Sequence, residues 1–81
     1  MEKVHIPPSA ETIEKMRLFI NARYRFDEVA TLRKVAHAAL DRILTGNHAS
    51  ANIAIQRLGP EGARDMRVHL RHFDIHLEPA T

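Results

Sequence analysis

Cysteine is absent from the 81 residues. That removes disulfides and thiolate metal ligation, the usual staples of a small secreted scaffold, and points to a cytoplasmic protein held together by packing alone. Long hydrophobic runs are missing too. No apolar stretch approaches the roughly 18 residues of a membrane span, and the polar N-terminus, with prolines at 7 and 8, has no signal-peptide apolar region. Neither export nor a membrane partner is expected. The chain also lacks a glycine-rich phosphate loop and a nucleophile elbow, so the expectation is a non-enzyme with no cofactor. Without internal repeats or low-complexity tracts, residues 1–81 read as one small domain.

The chain does contain two apolar stripes at helical spacing between Ile13 and Leu44. Ile13, Met16, Ile20 and Tyr24 share one face of the first; Val29, Leu32, Ala36, Ala39 and Ile43 step by three and four along the second. Together they predict a central helical hairpin. The second run is a near-heptad seam with alanine at its two central positions, so another helix can approach closely there, from within the chain or from a second copy. A chain this short buries only about 60 to 65 % of the surface its unfolded form exposes, and dimerisation would thicken that margin. A homodimer using Val29, Leu32, Ala36, Ala39 and Ile43 is therefore expected.

Local signals set the boundaries. Residues 1–6 alternate weakly, Val4 and Ile6 on one side and Lys3 and His5 on the other, and predict a short strand ended by the prolines. Ser9 is the expected N-cap of the first helix, which should run to Tyr24 or Arg25; Asp27 is the expected cap of the second, and Gly46 its stop. A short third helix is expected with Asn47 or Ser50 as its cap, ended by Gly59 and Pro60, with residues 59–62 as a connection. Residues 64–78 admit two periods. As a helix they align Met66, Leu70, Phe73 and Leu77; as a strand they need a bulge near Arg71. The helix needs no such defect and is the expectation. The fold class is thus mostly α, with an N-terminal strand, a central hairpin over residues 1–46 and a C-terminal extension over 47–81.

Polar clusters are few. His69, His72 and His76 fall within about 60° of one another on a helix, and on a strand His72, Asp74 and His76 would share a face. These are weak metal candidates, because a structural zinc site takes four ligands and a catalytic one three plus an open position. No metal is expected; a polar flank beside Met66 accounts for them. His37, beside Ala36, reads as a boundary residue reaching solvent with its ring. Arg17, Arg23, Arg25, Arg33 and Lys34 gather around the hairpin turn, and Arg64, Arg67 and Arg71 form a second helical row. Either group can meet phosphate or an acidic partner, although Asp27, Glu28, Asp65 and Asp74 are interspersed. The net charge of +2 is mild for a protein that grips a polyanion.

The order strand, helix, helix resembles the ribbon-helix-helix family of small dimeric DNA-binding proteins. It is carried by Lys3-Val4-His5-Ile6-Pro7, the stripe from Ile13 to Tyr24, and Ala39-Leu40-Asp41-Arg42-Ile43-Leu44. The resemblance implies a dimeric bacterial, phage or plasmid regulator of transcription in which paired strands enter the major groove of duplex DNA. Lys3 and His5 would read bases, with Arg23 and Arg25 also against the nucleic acid. Val4 and Ile6 would turn into the dimer core. In the antitoxin-like branch, residues 47–81 would bind a protein partner. The competing reading is a helical protein-protein interaction module or inhibitor that uses an exposed helix face and no nucleic acid.

Overall fold

A computed structural model describes residues 8–79. Within that span lie four helices, α1 (Ala10–Arg23), α2 (Ala30–Leu44), α3 (His48–Gln56) and α4 (Gly59–His72), followed by a non-helical tail, 75–79. The mostly helical class agrees with the sequence. No strand occurs among the described residues. The expected N-terminal strand, with Lys3, Val4, His5 and Ile6, lies outside them. None of the described helices is long and apolar enough to cross a membrane.

The helix ends follow side-chain and turn chemistry. Ser9 is extended (φ −69°, ψ 160°), and its Oγ accepts from the Thr12 N–H at 3.1 Å, satisfying one otherwise orphan donor of α1. Asp27 does not cap α2 directly; it opens a single 3₁₀ turn, Asp27–Val29, and α2 begins at Ala30. Gly46 (φ 85°) ends α2 in a paired closure, with the Asn47 N–H donating to Arg42 O at 2.8 Å and the Gly46 N–H to Ile43 O at 3.0 Å. Asn47 then turns capper, its Oδ1 accepting from the Ser50 N–H at 3.2 Å at the start of α3.

Two boundaries differ from the sequence reading. α3 closes at its Arg57 cap, Gly59 (φ 84°) opens α4 and Pro60 is placed in the first turn of α4, so 59–62 is helix rather than connection. The last helix also stops at His72 instead of continuing to residue 78. Asp74 adopts φ 57°, its N–H donates to Arg71 O at 3.0 Å, and the Ile75 N–H donates to Leu70 O at 2.8 Å. This repeats the closure at Gly46, with an L residue in the left-handed position. Ile75 and Leu70 are both buried in the core, the apolar contact that accompanies such an ending.

The core draws on every element. Met16, Ile20 and Tyr24 come from α1 and its cap, Leu40 and Ile43 from α2, Ile55 from α3, Leu58, Met66 and Leu70 from the N-cap and body of α4, and Ile75 from the tail. Residues 47–79 therefore complete the hairpin's core rather than extend beyond it. Ala36 and Ala39 are fully buried within the single chain, as are Ala51 on α3 and, nearly so, Ala54. α2 packs most extensively on α3. Ala36, Ala39 and Ile43 are thus buried within the single chain, whose own α3 is the main neighbour of α2. Val29 and Leu32 are half-buried against the same core. At Gly62 a Cβ would stand 2.9 Å from Tyr24 Oη and 3.0 Å from Leu58 Cβ, so glycine lets α4 pass the end of α1.

Candidate functional site

The basic residues at the hairpin turn divide by what they touch. Arg23 donates to Asp65 of α4 at 3.3 Å, and its guanidinium lies 5.2 Å from the Tyr24 ring. Arg33 donates to Tyr24 O at 2.7 Å, satisfying the carbonyl of the α1 cap. Both therefore act within the fold. Arg25 differs: it is exposed and sits 4.7 Å over the ring of Phe26, itself 59 % exposed. Of the expected nucleic-acid contacts, Arg23 is tethered, Arg25 faces outward, and Lys3 and His5 fall outside the described residues.

One turn further along, α1 and α2 build a polar cluster that the sequence reading did not assemble. Arg17 Nη1 donates to His37 Nδ1 at 3.1 Å, and Arg17 Nη2 meets Asp41 Oδ1 at 2.5 Å. A guanidinium only donates, so His37 Nδ1 must carry the lone pair and Nε2 the proton, which it gives to Asn21 Oδ1 at 2.8 Å. Burial pushes the His37 pKa below its ordinary 6.5; Arg17 adds to this, Asp41 opposes it, and Arg33 contributes a smaller downward push. The imidazole is neutral at pH 7 with both nitrogens engaged. It has no lone pair left for a substrate proton, so the cluster works as a clamp between two helices rather than as a general base. Its signal in the sequence was the spacing: Arg17 with Asn21, and His37 with Asp41, are two i, i+4 pairs on neighbouring helices.

Arg17 and Asn21 also line an open, shallow groove of about 400 Å³ along α1, together with Ala10, Ile13, Glu14 and Leu18. Leu18 is off the α1 core stripe and is 61 % exposed. The outer face of α1 thus sets apolar surface at Leu18 beside two polar side chains, Arg17 and Asn21, that are held by His37.

The three C-terminal histidines do not converge. His69 stacks on Phe19 with ring centroids 3.6 Å apart and gives its Nδ1 proton to Asp65 O at 2.9 Å. His72 meets Phe73 edge-on, and His76, on the tail, lies 5.8 Å from the ring of His48. Among the described residues no three His, Cys, Asp or Glu side chains gather in a metal-holding group. The sequence reading also passed over Asn52, a buried polar side chain at 3 % exposure. Its amide donates to His48 O at 3.0 Å and to Glu78 O at 2.8 Å, while Arg67 donates to its Oδ1 at 2.7 Å.

No family model matches the chain, and neither a curated protein nor a solved structure is detectably similar to it.

Proposed function

We propose that the protein is a non-enzymatic interaction module that docks an amphipathic helix of another protein into the α1 groove. The observation that carries this reading is Leu18, a large apolar side chain that lines the groove mostly in solvent, beside two polar side chains, Arg17 and Asn21, that are held by His37. An incoming helix would bury its apolar anchors against Ala10, Ile13 and Leu18 and keep its polar face toward Glu14. The covered alanine seam supports this reading over one in which α2 forms the core of an intertwined dimer.

The test is a comparison of two charged substitutions at exposed positions. Leu18→Glu should leave the fold intact, because a solvent-facing change away from special contacts alters stability by about 0.5 kcal/mol or less. It should also lose the partner recovered by crosslinking in cells. Val68→Glu, on exposed α4 surface, should keep that partner. Equal recovery by both variants would refute the α1 site, and a partner that proves to be a second copy would appear as a dimer in sedimentation.

A DNA-binding regulator is the second reading, supported by the outward-facing Arg25 and Phe26 pair. It requires binding to random duplex DNA that weakens steeply with salt. Flat or absent binding at low salt removes it.

A further inference from the structure

We propose that α3 and α4 form a groove that reads the main chain of an extended peptide, and that residues 75–79 of the chain occupy this groove in cis. The readers are His48 and Asn52, one turn apart on α3. His48 Nδ1 accepts the Glu78 N–H at 3.0 Å, and the Asn52 amide donates to the Glu78 carbonyl at 2.8 Å. Both polar groups of one peptide residue are thus bonded by side chains, as a neighbouring strand would bond them. Asn52 is also held from within the fold, its Oδ1 by Arg67 and its second donor by His48 O.

Side-chain selection comes from the neighbours. Ile75 is buried and Leu77 half-buried, whereas His76 and Glu78 face outward, the period of two of an extended segment. The ligand class is therefore an extended peptide with apolar side chains two residues apart, as in Ile75 and Leu77. The cis occupant leaves space on both flanks: about 280 Å³ beside Arg67, Arg71 and Leu77, and about 400 Å³ beside Ala49, Ile53 and Gln56. It also has somewhere else to go. Asp74 is held at φ 57°, a backbone region L residues disfavour. Were Asp74 to become helical, α4 would continue and carry Phe73 and Leu77 onto the stripe of Met66 and Leu70. This site is separate from the α1 groove, so Leu18→Glu should not affect it.

The experiment is an NMR titration of the labelled full-length chain with an end-blocked peptide of residues 73–79. Saturable shifts are expected at the Asn52 side-chain amide and the Glu78 N–H. Glu78→Pro in the protein deletes the cis donor to His48 and should tighten peptide binding about fivefold, the value of one neutral hydrogen bond. The same Pro substitution made in the peptide should weaken binding about fivefold, and that arm needs no altered protein. Asn52→Ala should abolish binding. An absence of saturable shifts at millimolar peptide, or a Pro-substituted peptide that binds as well as the parent, overturns the proposal. Self-association of the Glu78→Pro chain with unchanged peptide affinity would assign the groove to a second copy and likewise overturn it.

Discussion

Gly62→Ala sets two effects of opposite sign against each other at one atom. In a helix interior alanine is favoured over glycine by about 1 kcal/mol, so on local grounds the substitution should stabilise α4. The new Cβ, however, would stand 2.9 Å from Tyr24 Oη and 3.0 Å from Leu58 Cβ, well inside the roughly 3.5 to 4.0 Å of an ordinary carbon contact. Neither neighbour yields easily. Tyr24 is 4 % exposed at the end of α1, and Leu58 is fixed by the left-handed turn at Gly59. Overpacking of this kind costs about 1 to 3 kcal/mol, so the expected net effect is a loss of about 1 kcal/mol. In a domain of this size that lowers the Tm by roughly 4 to 8 °C. Thermal and urea unfolding followed by circular dichroism would measure it. In a Tyr24→Phe background the hydroxyl is gone, and Gly62→Ala should cost less, leaving a positive coupling in the double-mutant cycle. If Gly62→Ala is more stable than the parent, or if its cost is the same in both backgrounds, the close passage of α4 over Tyr24 is not what requires glycine.

Three further substitutions test other features. The folded-state pKa of His37 is held below 6.5, first by burial and then by Arg17, so the folded chain binds this proton less readily than the unfolded chain. Its contribution is fully present above pH 6.5 and is lost as the pH falls through the folded-state value. His37→Gln should therefore flatten part of the decline in stability below pH 6.5, and identical pH profiles for parent and variant would contradict the clamp. The two left-handed closures should respond with opposite signs. Gly46→Ala meets no atom within 4 Å and should lose about 1 kcal/mol through backbone strain alone. Asp74→Gly should gain about 0.5 kcal/mol once the greater flexibility of glycine in the unfolded chain is counted. Chemical denaturation of both would decide, and a shared sign would refute the argument.

The parts of the fold legible in the sequence were those with a local cause. Ser9, Gly46 and Asn47 each act on backbone groups a few residues away, and the stripe of Met16, Ile20 and Tyr24 is buried as its spacing implied. The end of α4 was not legible. Phe73 and Leu77 continue the helical period, and aspartate, which visits the left-handed region only occasionally, is a weaker stop than the glycine at 46. The decision is tertiary, made by Ile75 entering the core and by Glu78 bonding to α3. The alanine seam announced a close neighbour without naming it, because small residues specify distance rather than identity. Leu18 escaped notice for a related reason: a residue off the core stripe becomes conspicuous only when the surface around it has a shape.

The contact between α2 and α3 bears on the order in which the chain assembles. Alanine has no rotamers to lose, so burying Ala36, Ala39 and Ala51 carries no side-chain entropy penalty. The two helices are separated only by Thr45, Gly46 and Asn47, so closing the loop between them is entropically cheap. Tail docking, by contrast, brings Glu78 to His48 across a separation of 30 residues. A chain of this kind forms the α2–α3 pair early and seats its tail late. In stopped-flow measurements Ala39→Gly should then slow folding, whereas Glu78→Pro should mainly hasten unfolding; the reverse partition would place the tail in the folding nucleus.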